Sequence, residues 1–116
     1  MRVHVIGFIH PVVGAESDFN TFRLGGFYAK CLLPGETIYL LSEREKIIFG
    51  SARVESIDVG RLDDMCRLHA HRNHTELAND PNGAPKRLYQ TLSKIYGPHI
   101  VLPTKKATVI FLKRLE

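Results

Sequence analysis

The chain has 116 residues, with 44% hydrophobic and 24% charged side chains and a formal net charge of +4, which excludes a disordered or fibrous protein and suits one domain spanning residues 1–116. No apolar run approaches the ~18 to 20 residues of a membrane span, and Met1-Arg2-Val3-His4-Val5 lacks the apolar core of a secretory signal. Cys31 and Cys66 are too few for a disulfide scaffold, so a cytoplasmic protein is expected.

Arg2 to Ile9 reads as a strand, with Val3, Val5, Gly7 and Ile9 on one side and His4, Ile6 and Phe8 on the other. Both sides are substantially apolar, as in a strand covered on two faces. Pro11 to Ser17, with Gly14, breaks the pattern, and Phe19 to Leu24 is extended again before a turn or bulge at Gly25-Gly26. Leu33-Pro34-Gly35-Glu36 carries Pro second and Gly third, as a type II turn favours. Thr37 to Leu41 and Ile47 to Ile57, the latter interrupted at Gly50, form a hairpin across the charged connection Ser42 to Lys46.

The pattern then becomes helical. From Gly60 to roughly Arg72, Leu62, Met65 and Leu68 recur every three residues, and Asp63 and Asp64 suit a helix N-terminus. Asn79 to Pro85 is a loop. Pro85 opens a second helix whose apolar stripe is Leu88, Leu92, Ile95 and Tyr96, and Gly97-Pro98 stops it. Ala107 to Leu112 is a closing strand, stable only by pairing with the earlier ones. The order predicts a mixed α+β domain on a curled sheet or small barrel.

Thr21-Phe22-Arg23, then Leu33-Pro34-Gly35-Glu36-Thr37-Ile38, then the strand Phe49-Gly50-Ser51-Ala52-Arg53-Val54 resembles the core of the ASCH domains of the PUA-like superfamily. Leu92 to Gly97 followed by Ala107 to Leu112 is similar to their closing helix and final strand. The resemblance implies a PUA-like small mixed β-barrel flanked by two or more helices, with a cleft lined by the Thr-x-Arg strand and the first helix. It also implies binding of RNA or action on it. Some ASCH proteins are amidohydrolases that remove an acyl group from a modified cytidine, using a Lys three residues before the Thr and an acid in the helical region.

Here the position three before Thr21 is Asp18, and the best register through His69-Ala70 puts Asn73 in the place of the acid. A slip of register recruits Glu16 or Glu76 but supplies no Lys, since Lys30 belongs to another element. Asp cannot act as an amine, and Asn does not usefully exchange a proton. A hydrolase would therefore need a rearranged set, with Asp18, Lys30 and His69 as candidates.

For binding, the Arg23 guanidinium is a planar fork suited to a phosphate or a base edge, and Thr21, two residues away, shares its strand face. His69-x-His71-x-x-His74 with Cys66 upstream suggests zinc, but on one helix Cys66 and His69 lie on a different side from His71 and His74. No metal and no cofactor is expected. His69 and His74 are assigned instead as hydrogen-bond partners of a ligand or water, beside Arg72 and Asn73. Arg67, Arg72, Lys86, Arg87 and Lys94 are singly ordinary solvated charges, yet together with Lys105, Lys106, Lys113 and Arg114 they can rim a nucleic-acid groove. Phe19 and Tyr28, next to turns, are the aromatic side chains expected to stack on a base. Cys66 reads as a small buried apolar residue, with a thiolate activated by Arg67 and His69 as the alternative.

The sequence thus predicts an RNA- or nucleoside-binding module with a basic cleft, its ligand residues being Thr21, Arg23, His69, Arg72, Asn73 and His74. The partner would be RNA or a modified nucleoside, with no membrane involved. The alternatives are a small amidohydrolase of a modified base, and a protein-interaction or regulatory domain whose cleft is closed by side chains.

Overall fold

Five strands with alternating buried side chains define the architecture of the computed structural model, which describes residues 4–9 and 14–115. In chain order the elements are β1 (His4–Phe8), β2 (Asp18–Leu24), α1 (Phe27–Cys31), β3 (Thr37–Ser42), β4 (Ile47–Arg61), α2 (Leu62–His69), a 3-10 turn Ala70–Arg72, a second one Pro81–Gly83, α3 (Ala84–Tyr96) and β5 (Lys106–Leu115). The sheet order is β1-β3-β4-β5-β2, with β1 parallel to β3 and the other neighbours antiparallel. Among the described residues no ladder joins β1 to β2, so the sheet is a half-barrel with an open seam between its edge strands, and with its three helices it is the expected α+β, PUA-like architecture.

Two apolar cores follow from the period-two alternation of the strands. Ile6, Phe8, Phe19, Ile38, Leu40, Val54, Ile110 and Leu112 fill the inside of the curl. Phe22 and Val109 point the other way, onto Leu62, Met65, Cys66, Leu88 and Leu92 of α2 and α3. The strand covered on both faces is therefore β5, where Ala107 to Ile110 are all buried. β1 was expected to be covered in this way and is not: Val5 is 46% exposed and Ile9 52%, because the helices pack on the β2–β5 side of the sheet. Arg2 and Val3, and Pro11, Val12 and Val13 of the expected break, lie outside the described residues.

Local chemistry explains most boundaries. Gly35 has φ +93, the left-handed position of the expected turn, and Glu36 N–H donates to Leu33 O at 3.1 Å. Pro85 lies in the first turn of α3, and Gly97 ends it at φ +97. β4 is one continuous strand, but its pairing with β3 shifts register beside Gly50, skipping Phe49, and its pairing with β5 bulges between Val54 and Ser56. The glycine has another reason: the Arg114 guanidinium lies across it, donating to Ala15 O at 2.7 Å and Phe49 O at 2.8 Å, and a Cβ there would collide with it. α1 has no counterpart in the sequence reading, since none of its five residues is buried and no periodicity marks it. α2 is shorter than expected, giving way to a 3-10 turn after His69. Its inward face is Leu62, Met65 and Cys66, whereas Leu68 is 45% exposed.

Cys66 is accordingly an inert thiol. Burial pushes its pKa up to about 11, with the Asp63 charge acting in the same direction, so the activated-thiolate alternative is corrected. Because the folded value lies above the ordinary 9.0, its contribution to stability is intact below that value and is lost as pH rises through about 11. A thiol reagent at about pH 8 is expected to leave Cys66 unmodified in the native protein and to modify it after unfolding. Fast native labelling of the Cys66 peptide in mass spectrometry would contradict this placement.

Candidate functional site

Two polar side chains of β2, Thr21 and Arg23, lie toward the open seam of the half-barrel. Phe19, Thr21 and Arg23 alternate onto the inner face of the strand; Phe19 at 1% exposure is packed into the core, and the two polar residues follow it toward the seam. Arg23 crosses that seam. Its Nη1 donates to Gly7 O of β1 at 2.7 Å, its Nη2 donates to Thr21 Oγ1 at 3.3 Å, and the guanidinium lies 5.0 Å from the centroid of the Phe8 ring. Its Nε–H is buried and has no hydrogen-bond partner among the described residues. Burial pushes the Arg23 pKa below the ordinary guanidinium value, and the acidic groups of Tyr96, Tyr28 and Glu43 act in the opposite direction. An arginine so placed still carries its charge at neutral pH.

Around this guanidinium is a cavity of about 390 Å³. It is lined by Gly7, Phe8 and Ile9 at the end of β1, by Thr21, Phe22 and Arg23 of β2, and by Thr91, Leu92, Lys94, Ile95 and Tyr96 of α3. Asn73, His74 and Thr75, and Glu43 from the β3–β4 turn, complete the lining.

Asn73 and His74 are held there by β2. Asn73 pairs with Asn20 as an isolated parallel bridge, donates from Nδ2 to Asn20 O at 3.3 Å, and accepts from Thr75 N and Thr75 Oγ1 at 3.1 and 2.7 Å. Asn20 reciprocates by donating from Nδ2 to His69 O at 2.9 Å. The His74 ring packs edge-on against Phe8 and Phe19, at 5.2 and 5.9 Å between centroids. Gly14 lets the chain pass over this segment: its φ is +71, and a Cβ would meet the His74 carbonyl.

Of the residues assigned from sequence, Thr21, Arg23, Asn73 and His74 come together in the cavity. His69 does not. It lies on the helix-covered face of the sheet, its Nε2 2.7 Å from Asp58 Oδ2 and its ring 5.0 Å from that of Phe111. Arg72 is exposed in the 3-10 turn outside the cavity, and Lys30 is exposed in α1. Asp18 has the parity of Asn20 and Phe22, opposite to Thr21 and Arg23, and sits exposed at the strand end opposite Lys113. Glu16 is exposed, while Glu76 is buried outside the cavity and accepts from Arg87 Nη2 at 2.7 Å and Nε at 2.9 Å.

Phe19 is too deeply packed to stack on a base, and Tyr28 packs against the core; of the aromatic rings that do line the cavity, Phe8 and Phe22 are buried and Tyr96 is the exposed one. The basic rim is smaller than the sequence suggested, because Arg67 pairs with Asp64, Arg87 with Glu76, and Arg114 is spent on backbone carbonyls. Lys94 is the lysine that lines the cavity. Sequence reasoning missed Glu43 and Thr75 altogether. Among the described residues no cluster of three or more His, Cys, Asp or Glu is placed to hold a metal ion, and no helix is long and apolar enough to cross a membrane.

A curled mixed sheet flanked by helices thus carries, at its seam, a mainly apolar cavity with a few polar groups. No family model and no curated protein matches the sequence, but solved structures match the fold. A DUF984 protein from Enterococcus faecalis matches over 90% of this chain and 64% of its own, at 8% identity and a TM-score of 0.61. The ASCH protein from Zymomonas mobilis matches over 96% and 66%, at 18% identity and a TM-score of 0.56. The ASCH domain from Lactobacillus crispatus matches over 87% and 65%, at 10% identity and a TM-score of 0.53. The chain spans about two thirds of the length of these solved chains. The fold is therefore ASCH-like, and identities this low carry the fold alone.

Proposed function

We propose that the chain binds RNA or a nucleoside-containing ligand by taking one unpaired base or nucleoside into the seam cavity. The observation that carries this reading is the Arg23 guanidinium, partly buried in a cavity of about 390 Å³ with its Nε–H unpartnered and Thr21 beside it. Cavities of a few hundred Å³ with apolar walls and few polar groups suit a small planar ligand. Ile95 and Tyr96 supply surface for a ring, Arg23 and Thr21 supply hydrogen bonds to its edge, and Lys94 supplies a charge for an adjoining phosphate. Binding has more support than hydrolysis because Asp18, Lys30 and His69 stand outside this cavity. A cleft that is open, and lined by charge, also favours a ligand over the protein-interaction alternative.

The test is fluorescence anisotropy with a labelled single-stranded RNA of about six nucleotides. Binding is expected at low salt and is expected to weaken as salt rises, log K falling by about 0.7 per log unit of salt for each phosphate neutralised. Lys94→Ala is expected to reduce that slope by about 0.7. Absence of binding at low salt would overturn the proposal.

A further inference from the structure

We propose that the cavity selects guanine, the Glu43 carboxylate accepting from the N1 and N2 donors of the base while Arg23 donates to its O6. This rests on the nucleoside-binding reading and names the base it prefers. Arg23 and Glu43 line one cavity with opposite charges, yet among the described residues they form no ion pair with each other. Gly7 stands between them. Its carbonyl holds Arg23 Nη1 at 2.7 Å, and the Glu43 carboxylate lies against its Cα, in the space a Cβ would fill. The Glu43 backbone N–H donates to Phe8 O at 3.0 Å, which fixes the turn beside the end of β1.

The two groups offer different chemistry. Among the described residues, the guanidinium, which only donates, retains an unpartnered Nε–H, while the carboxylate, which only accepts, forms a single ion pair, an exposed contact of 3.4 Å with Lys46. A neutral ligand that satisfies both must present an acceptor beside donors. Guanine alone among the four bases has two neighbouring N–H donors, N1 and N2, next to a carbonyl, O6. Two donors in line match the two oxygens of a carboxylate. Adenine and cytosine offer the carboxylate a single amino group, and uracil sets its N3–H between two carbonyl oxygens that a carboxylate repels. A volume of about 390 Å³ accommodates a purine.

The deciding experiment is competition of guanosine, inosine and uridine against a bound labelled RNA, inosine being guanosine without its 2-amino group. Wild type is expected to take guanosine at least about tenfold more tightly than inosine or uridine. Glu43→Gln keeps the size of the side chain in an exposed turn and is expected to bring the guanosine-to-inosine ratio within about twofold of one. Gly7→Ala provides an independent route, since the added Cβ displaces the carboxylate without removing its charge, and the same loss of preference is expected. Salt-dependent RNA binding with a ratio near one in wild type would overturn guanine selection and leave the binding reading standing. A ratio that survives both substitutions would remove Glu43 from the selection, and failure to bind RNA or any nucleoside would overturn both readings.

Discussion

Alanine in place of Arg23 is expected to lower affinity for short single-stranded RNA about tenfold to a hundredfold, the loss of one hydrogen-bonding charged group from a partly desolvated site. The same substitution should lower stability. It removes the donor to Gly7 O, a side-chain hydrogen bond across the β1–β2 seam, and uncovers the Phe8 ring. The Gly7 carbonyl is only partly buried, so leaving it without its donor should cost about 1 kcal/mol, the low end of the range for an unsatisfied buried group. Arg23→Lys separates the two effects. A lysine keeps a charge but lacks the fork that serves Gly7, Thr21 and a ligand together, so affinity should fall nearly as far while the charge is retained. Affinity unchanged in Arg23→Ala would mean that RNA binds elsewhere on the molecule.

Phe19→Ala is expected to have the largest effect on stability, about 3–5 kcal/mol, with a fall in the unfolding midpoint of roughly 10–20 °C. Phe19 is 1% exposed at the centre of the inner core, and its ring meets those of Phe8 and His74 at 6.2 and 5.9 Å between centroids. The cavity left behind would lie directly beneath two residues that line the binding site, so surviving protein should also bind more weakly. Denaturant unfolding measures the cost, and a value below about 1 kcal/mol would mean that the curl is not packed around this ring.

Why some of this was legible in the sequence and some was not follows from the range of each signal. The alternation along Thr21-Phe22-Arg23 is local, and it placed Thr21 and Arg23 on one face as found. The same alternation puts Asp18, an odd number of residues from Thr21, on the other face; carrying a motif position over without checking parity is what brought it into the site. His69 and His74 lie five residues apart but on opposite sides of β2, because the helix ends at His69 and the chain then turns through Ala70–Arg72 to run beside Asn20. No periodicity announces such a change. Glu43 stayed hidden in Glu43-Arg44-Glu45-Lys46, which has the composition of any solvated turn. The available clue was Gly7, a glycine inside a strand, which often marks a close approach of another group. It could not say which group, because only the pairing of Phe8 with Ser42 brings that turn alongside.

The basic character was legible as a number and misleading as a map. The +4 charge is real, but arginines that looked available are engaged by Asp64, Glu76 and backbone carbonyls. What remains near the cavity is Arg23 and Lys94, opposed by Glu43. A site with so few charges is suited to recognising one nucleotide rather than a long stretch of backbone, and a shallow salt dependence is the consequence.

The central claim is that the seam cavity is where RNA binds. The most direct measurement is an NMR titration of the labelled protein with a short single-stranded RNA, following backbone amides and the Arg23 Nε–H. The account predicts shifts concentrated at Gly7, Thr21, Asn73, Thr75 and Tyr96, with the Arg23 Nε–H moving as it gains a partner. Shifts confined to Lys105, Lys106 and Lys113, with the Arg23 Nε–H unmoved, would contradict it.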